Sequence, residues 1–116
     1  IVDVDGQMLG KPENKKHAFE MLQMLSGKVH RVVTGVCLLY KHKYNLFHDV
    51  SEVFFRTLTD DEIRFYVDKY EPLDKAGAYG IQEWIGLVGI DRINGSYTNV
   101  VGLPTEKLYQ QLKRLV

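Results

Sequence analysis

The sequence contains one cysteine, Cys37, so no disulfide can form within the chain. It also lacks an apolar run near the roughly 20 residues that cross a bilayer, and no signal peptide is visible. Neither sign of charge is in excess, because 15 Lys and Arg residues balance 15 Asp and Glu residues. Nucleic-acid-binding proteins usually carry a basic surplus, so we do not expect nucleic acid as a partner. Because a long apolar run is missing, we do not expect a membrane as a partner either. The scarcity of cysteine fits a reducing, cytoplasmic compartment.

The remaining composition is that of one globular domain, which we assign to residues 1–116. Hydrophobic residues make up 45% of the chain, enough to build a core, and nothing in the composition indicates disorder. The first residue is Ile1, not an initiator methionine, and Ile1-Val2-Asp3-Val4 reads like the middle of a strand. We therefore expect that further sequence precedes this segment in the natural protein.

The first half of the chain predicts a strand, a helix and a long hairpin. Residues 1–4 form the strand, and a helix is expected over about 14–26, where Ala18, Met21, Leu22 and Leu25 form one apolar stripe. Asn14 is its expected N-cap and Gly27 its left-handed C-terminal residue. Residues 29–40 and 44–56 are rich in β-branched side chains and predict two strands joined at a polar tip, Lys41-His42-Lys43.

The second half predicts two helices and a second hairpin. Thr59 and Glu62 have the spacing of a capping box before a helix that carries Ile63, Tyr66, Val67 and Tyr70. Residues 71–83 are expected to form an ordered loop with a short helical turn. Residues 85–93 and 97–101 predict strands joined at Asn94-Gly95, and Pro104 opens a last helix whose Leu108, Leu112 and Leu115 face the core. The fold class is therefore α/β, a mixed sheet with antiparallel hairpins and flanking helices.

Two segments use residues that a hydrophobic core does not need. In Leu9-Gly10-Lys11-Pro12, glycine permits close approach to a ligand, and Lys11 is a cation suited to phosphate. The alternative for this tetrapeptide is a turn with a solvated lysine, which is the commoner case. Residues 74–82 contain Asp74, Lys75 and Gln82: a carboxylate for metal or water, an ammonium for phosphate and an amide that can read a base edge. A tight loop with a surface Asp–Lys pair explains this segment equally well.

Other polar or reactive residues carry weaker signals. Thr34-Gly35 interrupts a strand, which indicates a bulge, a twist point or close ligand approach. The four histidines show no metal-ligand spacing. Cys37 lies between apolar neighbours and is expected to be a small buried side chain.

Taken together, these segments resemble the Maf family along the whole chain, in the family's order. The resemblance rests on Leu9-Gly10-Lys11-Pro12, Leu25-Ser26-Gly27-Lys28-Val29-His30, Val33-Thr34-Gly35-Val36, Val53-Phe54-Phe55, Glu62-Ile63-Arg64-Phe65-Tyr66-Val67, residues 71–82 and residues 94–104. Each segment alone is a weak signal, whereas all of them in order are specific.

The resemblance implies an inosine-triphosphatase-like α/β fold with a nucleotide in a cleft between two lobes. It implies hydrolysis of a nucleoside triphosphate between the α and β phosphates, with Mg²⁺ as the expected cation and Mn²⁺ as the alternative. Lys11, Asp74 and Lys75 would match the family's catalytic positions, with Lys11, Thr34, Gly35 and Gln82 contacting substrate. The form of residues 74–82 resembles the branch acting on dTTP and UTP. A homodimer is also consistent with the family.

The sequence departs from the family pattern at two places. A Ser-Pro-Arg-Arg type loop and an Asp-Thr pair, whose aspartate is the family's presumed general base, would both lie before Ile1. The resemblance therefore implies that residues 1–116 are the C-terminal part of a Maf-like domain truncated at its N-terminus, and we expect this chain alone to be inactive. Glu83 stands where many relatives have glycine. The alternative function is a non-catalytic Maf-like domain that binds nucleotide or a protein partner linked to septum formation and cell division. A third interpretation, an unrelated small α/β interaction domain, gives Lys11 and Gln82 no role.

Overall fold

Five antiparallel strands form one sheet in the order β2-β1-β3-β4-β5 in the computed structural model, which describes residues 1–115. The strands are β1 Val2–Val4, β2 Gln7–Leu9, β3 Val29–Tyr40, β4 Lys43–Phe55 and β5 Ile90–Asn94. The helices are α1 Lys15–Leu25, α2 Asp60–Tyr70, a 3-10 turn Ala76–Ala78, α3 Trp84–Gly89, α4 Tyr97–Val101 and α5 Thr105–Leu115. The α/β class with antiparallel hairpins and flanking helices is confirmed, although residues 1–115 contain no parallel strand pairing.

The β3–β4 hairpin is the longest element of the sheet. Its register runs without interruption from Val29 opposite Phe54 to Tyr40 opposite Lys43, which confirms the predicted hairpin and its polar tip. On β3, His30 and Val32 are buried, whereas Val29 and Arg31, which alternate with them, are exposed. This alternation shows that the helices cover one face of this part of the sheet.

The core lies between that face and helices α1 and α2. Both helix starts are capped as predicted: Asn14 Oδ1 accepts from the backbone N–H of His17 at 2.8 Å, and Thr59 and Glu62 form the reciprocal box. The Arg56 guanidinium and the backbone N–H of Thr59 hold the pKa of Glu62 at about 2, so the capping carboxylate stays charged. The helices bury Ala18, Met21, Leu22, Leu25, Ile63, Tyr66 and Val67 against strand residues that include Val4, Val32, Val53 and Phe55. Each large apolar side chain buried in this way contributes about 1.5–3 kcal/mol.

The predicted strand over residues 85–93 is wrong in its first half, where the chain forms α3 and only then β5. Ile85 and Gly89 are buried while Leu87 is 83% exposed, which is a helical i, i+4 pattern and not strand alternation. A Cβ on Gly86 would lie 1.9 Å from the carbonyl oxygen of Ile81. The start of α3 therefore packs tightly against the preceding loop, because position 86 has no side chain.

The predicted strand over 97–101 is also wrong, because these residues form the short helix α4. Ser96 is its N-cap, and its hydroxyl accepts from the backbone N–H of Asn99 at 3.2 Å. The Asn94-Gly95 pair ends β5 but does not return the chain as a hairpin. The described residues thus contain five α-helices where the sequence predicted three.

Helix α5 begins after Pro104 as predicted, but it buries none of its residues. Leu112 is exposed and Leu108 and Leu115 are only half-buried, so the expectation that these leucines face the core is wrong for Leu112 and only partly met by the other two. The helix lies along β4, where Lys107 Nζ is 3.4 Å from Asp49 and donates to the carbonyl of His48.

Cys37 is exposed on β3, which corrects the expectation of a buried thiol. Its odd-numbered position places it on the sheet face opposite His30 and Val32.

No helix among residues 1–115 combines the length and apolar character needed to span a membrane.

Candidate functional site

A pocket of about 690 Å³ opens beside β3, which is within the size range of small-molecule sites. Three walls form it: Val32–Gly35 of β3, the loop 74–82 after α2, and the end of α4 from Asn99 to Gly102. Ile1 and Val2 complete the lining. The pocket therefore gathers segments that are distant in sequence.

The loop wall is shaped by residues in the left-handed region. Glu71 ends α2 at φ 46°, and Gly77 follows within the 3-10 turn at φ 72°. The backbone N–H of Gly77 donates to the carbonyl of Gly10 at 3.1 Å, and a Cβ on Gly77 would lie 3.2 Å from the side chain of Val2. The loop thus lies directly on the first strands, which explains the need for glycine at position 77.

Asp74 and Lys75 meet at the pocket as an ion pair. Lys75 Nζ donates to Asp74 Oδ1 at 3.2 Å, and the Lys75 side chain is only 35% exposed. This hydrogen bond lowers the pKa of Asp74 below its usual value, and the nearby charge of Lys11 acts in the same direction. Asp74 is therefore a carboxylate at neutral pH, available as a hydrogen-bond acceptor.

Behind Lys75 lies a polar cluster that the sequence did not predict. The Tyr66 hydroxyl donates to Glu83 Oε1 at 2.6 Å and accepts from the backbone N–H of Gly80 at 3.0 Å. Burial, followed by the hydrogen bond to Glu83, raises the pKa of Tyr66. The hydroxyl is therefore a permanent donor. Tyr66 lies in the buried apolar stripe of α2, and a tyrosine in such a stripe predicts only a packing role. The sequence therefore did not indicate its hydrogen bonds.

Asn99 anchors the third wall. Its side chain is buried, and Nδ2 donates to the carbonyl of Val32 at 3.1 Å and to Ser51 Oγ at 3.0 Å. Ser51 Oγ donates in turn to the carbonyl of Ser96. These bonds fix α4 to β3 and β4. The sequence offered one signal for this anchoring role, which is that the polar residue Asn99 directly precedes the apolar pair Val100-Val101.

Tyr79 lines the pocket and joins it to a buried histidine. Its hydroxyl lies 2.6 Å from His30 Nε2, and Phe55 packs against both rings. Burial lowers the pKa of His30 to about 4, so its imidazole is neutral at physiological pH. His30 Nδ1 has no hydrogen-bond partner within residues 1–115.

Five of the six residues selected from sequence line this one pocket: Thr34, Gly35, Asp74, Lys75 and Gln82. The sixth, Lys11, is exposed and does not line it, although it is close enough for its charge to act on Asp74. Gly35 has no atom within 4 Å of the position that a Cβ would take, so the backbone there is open to an incoming group.

The described residues do not by themselves provide a metal site. Within residues 1–115, no group of three or more His, Cys, Asp and Glu side chains converges on a common point. The nearest carboxylates are already engaged, Asp74 with Lys75 and Glu83 with Tyr66. These residues therefore do not fit a tightly held resident cation.

The fold and pocket together define an α/β domain whose polar cleft lies between an antiparallel sheet and a lysine-bearing loop. The chain belongs to the Maf family, because the family model described as Maf-like protein matches residues 1–115. This confirms the resemblance drawn from the sequence.

Curated relatives agree with this membership. The chain is 56% identical over 115 residues to a dTTP/UTP pyrophosphatase of Bacteroides thetaiotaomicron, covering 99% of this chain and 60% of that protein. It is 54% identical over 112 residues to a dTTP/UTP pyrophosphatase of Flavobacterium psychrophilum, covering 97% of this chain and 57% of the relative. A protein of the same name from Porphyromonas gingivalis is 50% identical over 113 residues, with 97% and 57% covered. The chain thus spans about 60% of the length of these relatives.

Proposed function

We propose that the protein is a nucleoside triphosphate pyrophosphatase that hydrolyses dTTP and UTP to the monophosphate and pyrophosphate. The observation that carries this proposal is the convergence of Thr34, Gly35, Asp74, Lys75 and Gln82 on one pocket. Among these side chains, an ammonium suits phosphate, a carboxylate can accept hydrogen bonds, and an amide can contact a base edge. The names of the relatives support the two substrates.

The pocket supports a division of labour along the nucleotide. Lys75 supplies a partly buried ammonium for the phosphate chain, and the exposed backbone at Thr34-Gly35 admits close approach. Lys11 does not line the pocket, but its positive charge is close enough to act on Asp74. Gln82, on the same loop, has both a donor and an acceptor, which suits the mixed edge of uracil or thymine.

The reaction consumes one water. Its oxygen bonds to a phosphorus of the α–β linkage, the bridging P–O bond breaks, and the nucleoside monophosphate and pyrophosphate separate with release of a proton. Catalysis of such a step depends mainly on positioned charge. Lys75 would stabilise negative charge on the phosphate oxygens, and ionised Asp74 would orient Lys75 and accept hydrogen bonds.

The proposed cofactor and assembly follow from the family resemblance, and the proposed compartment follows from the scarcity of cysteine. Maf-family nucleotide pyrophosphatases are generally metal-dependent. The proposal names Mg²⁺, with Mn²⁺ as the alternative, although the described carboxylates do not form a cation site alone. It also places the protein in the cytoplasm, with a homodimer as the expected assembly.

The test is pyrophosphate release from a panel of nucleoside triphosphates, with Mg²⁺ and with Mn²⁺, by the protein made from its complete reading frame. We expect turnover of dTTP and UTP, its loss in Lys75→Ala, a lower rate in Lys11→Ala, and an altered substrate preference in Gln82→Ala. Lys43→Ala at the hairpin tip and Gln7→Ala on β2 are matched controls, because both side chains are exposed away from the pocket.

Two results would overturn parts of this proposal. If no nucleotide yields pyrophosphate but dTTP or UTP still binds, the non-catalytic nucleotide-binding alternative replaces the enzyme. If Gln82→Ala changes all substrates equally, Gln82 is not the base-reading residue.

A further inference from the structure

Glu83 lies beside the pocket without lining it. Its Oε1 accepts from the Tyr66 hydroxyl at 2.6 Å and lies 4.0 Å from Lys75 Nζ. The same hydroxyl accepts from the backbone N–H of Gly80, so the carboxylate is tied to the backbone of the pocket loop. Glu83 is thus connected to the pocket through Lys75.

The space around Gly80 explains how Lys75 is confined. A Cβ on Gly80 would lie 2.8 Å from Lys75 Cε and 2.8 Å from Glu83 Oε1. The lysine stem and the glutamate carboxylate therefore both occupy the space beside Gly80 that a side chain there would need. The ammonium at the end of that stem lies between Asp74 at 3.2 Å and Glu83 at 4.0 Å. A lysine is otherwise a flexible four-carbon chain whose charge is loosely placed.

We infer that Glu83 is a positioning residue, which with Tyr66 and Gly80 holds the Lys75 ammonium at the pocket wall. This inference rests on the proposed function, because it assigns Lys75 to the phosphate chain of a nucleotide. Burial and the hydrogen bond to Glu83 keep Tyr66 protonated, so the donor that orients the carboxylate is constant. Two carboxylates restrain Lys75 more strictly than Asp74 alone, since Asp74 is itself an exposed neighbour in the chain.

Positioning affects turnover more than ground-state binding. Without the Glu83 charge, Lys75 can still reach a phosphate, and it has one competing carboxylate fewer. The Michaelis constant should therefore stay the same or fall. The turnover number should fall by roughly 3- to 10-fold, because the ammonium samples positions away from the transition state.

The experiment is a double-mutant cycle in the protein made from its complete reading frame, with Glu83→Gln, Lys75→Met and the double variant. Glu83→Gln keeps an acceptor for Tyr66 and removes only the charge. Single-turnover assays with radiolabelled dTTP detect slow variants. Active-site concentration comes from titrating Trp84 fluorescence with a dTTP analogue carrying a non-hydrolysable α–β bridge. Trp84 is the only tryptophan among residues 1–116, and it adjoins Glu83 in the chain, so its signal is identified with a Trp84→Phe variant. Glu20→Gln, exposed on α1, is the matched control.

The expected result is a lower turnover number in Glu83→Gln with an unchanged or lower Michaelis constant, and no further loss when Lys75 is already methionine. Equal losses in both backgrounds would show that Glu83 acts independently of Lys75, which would refute the inference. Unchanged turnover in Glu83→Gln would also refute the inference. If the unmutated protein neither binds the analogue nor releases pyrophosphate, the proposed function fails first, and the inference fails with it.

Discussion

Gly10 and Gly77, 67 positions apart, are joined by a backbone hydrogen bond of 3.1 Å from the N–H of Gly77 to the carbonyl of Gly10. This bond connects the two segments that the sequence singled out for phosphate contacts. Because Lys11 follows Gly10 and Lys75 precedes the 3-10 turn, the bond brings the two lysine-bearing segments together.

Gly77→Ala should destabilise the protein more than Gly6→Ala, although the two glycines have nearly equal φ of 72° and 76°. Each substitution places a side chain in the left-handed region, at a cost of about 1–2 kcal/mol. Only the Cβ at position 77 meets a neighbour, Val2 at 3.2 Å, whereas nothing lies within 4 Å at position 6. Overpacking should add about 1–2 kcal/mol, measured by urea unfolding. Equal losses would mean that Val2 moves aside freely.

The stability of the protein should fall as pH drops from 6.5 toward 4 because of His30. Burial lowers its pKa from 6.5 to about 4, so within this window the unfolded chain takes up a proton that the folded chain rejects. The contribution is complete above pH 6.5, and about 3 kcal/mol is lost by pH 4. His30→Gln should remove this part of the pH dependence in urea unfolding, whereas His42→Gln at the exposed hairpin tip should retain it. The same slope in all three proteins would exclude His30 as its source.

Asn99→Ala should cost about 2–3 kcal/mol of unfolding free energy, because the carbonyl of Val32 and Ser51 Oγ lose a buried donor. Asn94→Ala is the matched control, since its amide bonds Glu52 at the exposed surface and should cost less than about 0.5 kcal/mol. Thermal unfolding followed by circular dichroism measures both. Similar losses would show that the Asn99 network does not stabilise the wall of the pocket.

Features written in local sequence were predictable. The Thr59–Glu62 box and the Asn14 cap need only neighbours within four residues, and both formed as expected. The β3–β4 hairpin was predictable because its strands are long and adjacent. The pocket residues of the loop were found because Asp74, Lys75 and Gln82 are too polar for a core.

Features that depend on distant partners were not predictable. Gly86 has its role only because the carbonyl of Ile81 lies where a Cβ would be, and Glu83 matters because Tyr66 reaches it from another helix. Cys37 was misplaced because apolar residues occupy both faces of this part of β3, so alternation could not identify the face that the helices cover. Residues 97–101 form a helix capped by Ser96, and not the strand that Asn94-Gly95 predicted, because Asn99 is bonded to the sheet.

The pocket walls come from four segments that are distant in sequence, namely residues 1–2, 32–35, 74–82 and 99–102. The pocket can therefore form during folding only when these segments have come together. The β3–β4 hairpin closes locally and early, whereas the 74–82 and 99–102 walls reach β1 and β3 only after long loops have closed. The pocket therefore exists only when these long-range contacts have formed. A ligand that binds there and not to the unfolded chain would raise the melting temperature.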